Sequence, residues 1–140
     1  MSKVAIVYWS GTGNTAAMAS AVEAGAKAKG AEVSVFGPDE FTTDKVAEFD
    51  AIAFGCPAMG AEVLEESSYE PMFASVEGSL SGKKIVLFGS YGWGDGQWMR
   101  DWEDRCRANN ATLVTDSVMV NNAPTDDDLE NCSALGRTIA

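Results

Sequence analysis

Apolar positions along this chain follow two different periods. Short apolar runs occupy Lys3–Trp9, Glu32–Phe36, Ala51–Cys56, Lys84–Gly89 and Thr112–Val120, and their length predicts strands. Between them apolar residues recur at helical spacing. That spacing predicts helices over Asn14–Lys29, Glu70–Glu77 and Gln97–Asn109, with a last one over Asp126–Ile139. Thr42–Phe49 reads as a short helix or turn. Several of the strand runs are apolar throughout rather than alternating, as happens when helices cover both faces of a parallel sheet. Strand and helix alternate from end to end, so right-handed crossovers predict a five-stranded doubly wound α/β sheet. No repeat or linker interrupts the pattern. The 140 residues therefore read as one domain, able to bury about two-thirds of its unfolded surface.

The first strand runs directly into Ser10-Gly11-Thr12-Gly13-Asn14-Thr15, and a helix opens there with Ala16, Ala17, Met18, Ala19, Val22 and Ala26 as its small apolar side chains. A strand, a tight glycine and hydroxyl turn, and a helix N-terminus make an anion cradle. First-turn N–H groups lack intrahelical partners, and the helix dipole favours negative charge at that end. Gly11 and Gly13 let the backbone curl round a phosphate, and Ser10, Thr12, Asn14 and Thr15 add side-chain donors. The loop holds no lysine or arginine, so only neutral groups would grip the anion.

That absence discriminates between phosphate loops. The nucleotide triphosphatase loop requires a lysine and is excluded. Gly11-Thr12-Gly13-Asn14-Thr15-Ala16 does fit the dinucleotide fingerprint, which also asks for an acidic residue ending the second strand. Asp39 stands near that place, but a proline turn precedes it and the chain is short for a dinucleotide domain. A helix capped without a ligand would need one polar residue, not a row of them. A mononucleotide phosphate suits the loop best.

Doubly wound sheets bind ligands beyond the carboxyl ends of their strands. After the third strand comes Gly55-Cys56-Pro57-Ala58-Met59-Gly60-Ala61-Glu62, and after the fourth Gly89-Ser90-Tyr91-Gly92-Trp93-Gly94-Asp95-Gly96. Met59, Tyr91 and Trp93 are large apolar groups where polar turns are usual, and the flanking glycines permit close backbone approach to something flat. A phosphate cradle with two apolar clamps describes a planar ring system joined to a phosphate. Flavin mononucleotide (FMN) fits.

Composition narrows the chemistry. The formal charge is −11 and histidine is absent, while the pI is near 4.2. An acidic surface disfavours nucleic acid and anionic membranes and steers toward basic partners. Without histidine there is no common general base, triad or metal ligand of the usual kind. Cys56, Cys106 and Cys132 are widely spaced and read as reduced packing residues, with no metal site implied. No apolar stretch approaches transmembrane length and no leader pattern precedes the first strand, so a cytoplasmic, soluble chain is expected.

Over essentially its whole length the chain resembles the flavodoxin family, short-chain type, as found in strict anaerobes. The resemblance rests on Ser10-Gly11-Thr12-Gly13-Asn14-Thr15, on Met59-Gly60-Ala61-Glu62 and on Ser90-Tyr91-Gly92-Trp93-Gly94, in that order and spacing. The last strand also runs into Asn121-Asn122-Ala123-Pro124 without a long insertion. It implies strand order 2-1-3-4-5 and non-covalent FMN held by the phosphate loop, by Pro57 to Glu62 and by Ser90 to Gly94. Trp93 would stack on one face of the ring and Met59 cover the other. Glu62 would organise the flavin N3–H, and Ser90, Tyr91 and Gly92 would serve the pyrimidine edge. Trp9 would screen the phosphate side, with Asn122 near the ring. Family members carry Gly-Asp where this chain has Gly60-Ala61.

The function so implied is a low-potential one-electron carrier, not an enzyme, cycling FMN between semiquinone and hydroquinone. A Gly60 carbonyl turned toward flavin N5–H would stabilise the half-reduced state, while nearby carboxylates (Glu62, Glu65, Glu66, Asp95) would oppose the anionic reduced form. Each at about 10 Å would contribute about 0.8–1.7 kcal/mol at an effective dielectric of 20–40. Partners would be basic redox proteins docking transiently onto a monomer. The alternative is a small FMN-dependent quinone or NAD(P)H reductase on the same fold. A phospho-acceptor receiver domain would need carboxylates at strand ends that here read Tyr8-Trp9-Ser10 and Gly55-Cys56-Pro57.

Overall fold

A computed structural model of the chain describes residues 2–59 and 63–140. The parallel strands β1 (Lys3–Tyr8), β2 (Glu32–Phe36), β3 (Ala51–Gly55) and β4 (Lys84–Tyr91) stand in the order β2-β1-β3-β4. Next to β4 the expected fifth strand is divided in two. β5 (Thr112–Leu113) pairs with Lys84 and Ile85, and β6 (Val118–Asn121) pairs with Phe88 to Tyr91. One long run over Thr112–Val120 is therefore corrected to two short ones. The polar Thr115-Asp116-Ser117 leaves the sheet, and Ser117 donates from its hydroxyl to Glu103 at 2.7 Å.

Among the described residues the five α-helices are α1 (Asn14–Ala28), α2 (Thr43–Val46), α3 (Tyr69–Val76), α4 (Gln97–Ala108) and α5 (Asp126–Ile139). They cover both faces, which explains the unbroken apolar strands. In β1, Val4 and Ile6 pack with Met18, Val22, Leu135 and Ile139 of α1 and α5. The alternate residues Ala5 and Val7 face a second core containing Tyr69, Phe73, Trp98 and Trp102 of α3 and α4. Residues of one strand thus supply two cores by the period-two rule. A single turn of 3-10 helix at Pro38–Glu40, absent from the sequence-based expectation, follows β2.

Helices α1 and α5 meet backbone to backbone. A Cβ on Gly25 would lie 1.9 Å from the Ser133 carbonyl oxygen, and one on Gly136 would lie 2.0 Å from that of Val22. On the other face, Trp98 and Trp102 are buried, as their one-turn spacing predicts. All three cysteines are free and buried. Burial pushes each thiol up to about 12, so thiolate chemistry is suppressed and their role is packing.

The ladder continues beyond the strand ends and sets the next three loops side by side. Trp9 N–H donates to Gly55 O at 3.1 Å, Cys56 N–H to Phe88 O at 3.1 Å, and Ala58 N–H to Ser90 O at 3.0 Å. The chain changes direction between β1 and β3, so a crevice opens where these loops emerge.

Candidate functional site

The crevice is a cleft of about 220 Å³. Its walls come from three loops and the end of β6. Trp9, Gly11, Thr12 and Asn14 line the β1 side, Pro57, Ala58 and Met59 the β3 side, and Ser90, Tyr91 and Gly92 the β4 side, with Asn122 closing the end. Every one of these belongs to the set expected from sequence.

The phosphate loop has the predicted build. Gly13 is the residue before α1 and takes φ 95°, a left-handed turn that favours glycine. Ser10 Oγ accepts N–H bonds from Gly13 at 3.1 Å and Ala16 at 3.2 Å. Among the described residues its hydroxyl proton has no acceptor, which leaves it free to meet an anion. Asn14 and Thr15 begin the helix, so their N–H groups have no carbonyl four residues back within it. Thr15 itself is buried, and its hydroxyl meets Ser90 Oγ at 3.1 Å. Among the described residues no lysine or arginine lines the cleft. The donor set is neutral, as the sequence requires.

The apolar walls are held from behind. Tyr91 rests on Trp98 with ring centroids 5.4 Å apart. Trp98 in turn donates its indole N–H to the carbonyl of Cys56 at 3.2 Å, so it is a buttress between two ligand loops as well as a helix packing residue. Asn122 has φ 62° and donates its N–H to Tyr91 O at 2.8 Å. The Trp9 indole lies against Gly11, where a Cβ would approach it to 3.0 Å.

Trp93 stands outside the cleft wall at the tip of the β4 loop, 56% exposed, and Met59 is 37% exposed. Two bare apolar side chains beside a cleft with unspent donors fit a flat ring whose phosphate enters the helix end. Ser10, Gly13, Thr15 and Gly94 likewise lie off the cleft wall: the first three build the cradle, and Gly94 carries the β4 loop with φ 83°. Gly60, Ala61 and Glu62, expected to meet the flavin N5 and N3 positions, lie outside the described residues.

Three residues have contacts that the sequence does not reveal. Ser90 lines the cleft, and its hydroxyl also engages Thr15 while its carbonyl accepts from Ala58, which makes it a junction of loops. Asp95, one of the carboxylates expected to oppose the reduced ring, pairs with Arg100 at 3.0 Å. Glu65, another of that set, is only 8% exposed and turns into the protein. Its carboxylate accepts N–H bonds from Ser67 at 2.7 Å, Ser68 at 2.8 Å and Tyr69 at 2.9 Å. Burial alone would raise the Glu65 pKa, but these three donors outweigh it and hold the carboxyl below its ordinary value. Glu66, the next residue, stays exposed.

Neutral amides at a helix end, joined to an apolar clamp at the switch point of a doubly wound sheet, define a mononucleotide-binding α/β protein. Comparison with known proteins gives the family. The flavodoxin family model matches residues 6–136. A flavodoxin from Megasphaera elsdenii is 48% identical over 137 residues, covering 98% of both chains. One from Clostridium beijerinckii is 44% identical over 135 residues, covering 96% of this chain and 97% of its own. The solution structure of two-electron reduced M. elsdenii flavodoxin superposes with a TM-score of 0.89 over 97% of each chain. The chain belongs to the flavodoxin family, whose members are FMN-binding electron-transfer proteins. Among the described residues no helix is long and apolar enough to cross a membrane.

Proposed function

We propose that this chain is a low-potential one-electron carrier that works between the semiquinone and hydroquinone states of non-covalently bound FMN and turns over no substrate of its own. The observation that carries this reading is the cleft, where phosphate donors and apolar ring cover converge without a histidine or a cationic side chain in its wall. FMN supplies the redox chemistry, and the protein binds it and tunes its potentials.

In this reading Ser10, Thr12, Asn14 and Thr15 with the first N–H groups of α1 hold the phosphate. Met59 and Trp93 cover the ring faces, Ser90, Tyr91 and Gly92 serve the pyrimidine edge, Trp9 screens the phosphate side and Asn122 lies near the ring. Gly60 is the proposed acceptor for flavin N5–H and Glu62 the partner of N3–H. The net charge of −11 opposes adding an electron to a ring already beside a phosphate dianion, which lowers the second potential. The same charge suits transient docking of a monomeric, single-domain, cytoplasmic carrier with basic redox proteins.

Reconstitution of the apoprotein with FMN, followed by a stepwise reductive titration, tests this. A yellow complex with a long-wavelength radical band midway, and a second potential well below the first, is expected. Direct two-electron bleaching without the radical would overturn it. Steady oxidation of NAD(P)H by the purified protein alone would favour the reductase reading instead.

A further inference from the structure

We propose that Glu65 is a positioning residue for the loop that covers the ring, setting where Met59 and Val63 stand without touching the cofactor. This rests on the FMN reading above. The segment from Cys56 to Glu65 leaves the sheet after β3 and returns to α3, and its two ends meet. Glu65 N–H donates to Cys56 Sγ at 3.4 Å, and Cys56 is itself fixed by Phe88 O and by the Trp98 indole N–H. Farther out, Met59 and Val63 exchange two backbone bonds, at 2.8 and 2.9 Å. Only three residues separate them. Where Met59 points therefore follows from how the base of this ladder is held.

Packing holds the returning limb only in part. Leu64 is buried in the core that contains Trp98 and Trp102, but Val63 is 38% exposed, and a cleft of about 100 Å³ lies between this limb and α4. Hydrogen bonds at Glu65 add the rest of the hold. Its carbonyl accepts from Glu70 N–H at 2.8 Å, and its carboxylate takes the N–H groups of Ser67, Ser68 and Tyr69, which lead into α3. Ser68 occupies the N-cap of α3 but makes no side-chain cap bond. An ordinary cap would involve the helix alone. Here the acceptor is the last residue of the ring loop, so the helix cap and the loop anchor are one side chain.

The test uses Glu65→Ala and Glu65→Gln in the full chain, with two readouts. The first is amide hydrogen exchange at Met59 and Val63, compared with Tyr69–Val76, with and without FMN. The second is the potential of the first one-electron couple. That couple adds an electron and a proton together, so loss of a charge elsewhere in the protein leaves it nearly unchanged, whereas loss of loop geometry does not. Glu65→Ala is expected to speed exchange at Met59 and Val63 at least tenfold and to lower the first potential. A tenfold loss of preference for the half-reduced state would read as about 59 mV. Glu65→Gln, which keeps one carbonyl oxygen for the α3 N–H groups, should show smaller changes of the same sign, and it carries the test if the alanine variant does not fold. Faster exchange confined to Tyr69–Val76, with Met59, Val63 and the first potential unmoved, would reduce Glu65 to a helix cap and overturn the proposal. Failure of the wild-type chain to bind FMN would instead sink the parent reading, and exchange in the cofactor-free protein would still decide the role of Glu65.

Discussion

The hydroxyls of Thr15 and Ser90 meet at 3.1 Å in the protein interior, 75 residues apart in sequence. Thr15 belongs to the first turn of α1 and Ser90 to the end of β4, whose carbonyl also accepts from Ala58. The three loops that form the cleft are thereby joined at one point. Because both hydroxyls are buried, removing one strands the other. Thr15→Val and Ser90→Ala should each cost about 1–3 kcal/mol of stability, and the double variant less than their sum. Urea unfolding of the four proteins measures the coupling.

Backbone contact between α1 and α5 gives a second prediction. Gly25→Ala and Gly136→Ala would each drive a methyl group into a main-chain carbonyl, which cannot swing aside as a side chain can. Each should cost about 1–3 kcal/mol or more, despite the gain in helix propensity. Thermal unfolding would show it, and an unchanged melting temperature would mean that the helices do not approach this closely.

How far such features can be read from sequence depends on how local they are. The phosphate cradle was legible because Ser10 to Ala16 carry strand end, turn and helix start in one stretch, and the cleft draws on the residues that stretch and its two companion loops supplied. Contacts set by tertiary packing were not. Gly25 looks like a weak helix position until α5 is laid across it. Glu65 and Glu66 are the same residue type in succession, and only the position of α3 decides which one turns inward. The division between β5 and β6 was hidden because Thr112–Val114 and Val118–Val120 both have strand composition and Thr115-Asp116-Ser117 is a short polar interruption between them.

Acid sensitivity follows from two carboxyls. Arg105 donates to Glu77 at 2.9 and 2.7 Å, and this bonding holds the Glu77 carboxyl below its ordinary value. Backbone N–H groups do the same for Glu65 against the opposing effect of burial. A carboxyl whose folded pKa is depressed stabilises the fold above its unfolded value of 4.5, and the contribution is lost as pH falls through the folded value. Stability should therefore be flat near neutrality and fall below about pH 4.5. Glu65→Gln and Glu77→Gln should each reduce the slope of that fall, read by urea midpoints across pH. A slope identical to wild type in both variants would place the acid sensitivity elsewhere.

Tyr69 tests the core beneath the site. Its ring is fully buried edge-on to Trp102, and its hydroxyl donates to Val7 O at 2.7 Å. Tyr69→Phe keeps the ring contact and leaves a strand carbonyl without this donor. A loss of about 1–3 kcal/mol is expected. FMN affinity should change little, since Tyr69 lies off the cleft wall.

Trp93 should behave in the opposite way. Its side chain is 56% exposed, so Trp93→Ala removes little buried surface, and the cofactor-free protein should unfold within about 0.5 kcal/mol of wild type. If the indole stacks on the flavin, its loss should weaken FMN binding by about 1–3 kcal/mol, by analogy with aromatic stacking on nucleobases. Flavin fluorescence makes the measurement direct, because a stacked indole quenches the ring and an alanine does not. Wild-type affinity with unchanged quenching in Trp93→Ala would remove Trp93 from the binding site. A loss of stability in the cofactor-free protein equal to the loss of affinity would show the residue acting through the fold rather than on the ring.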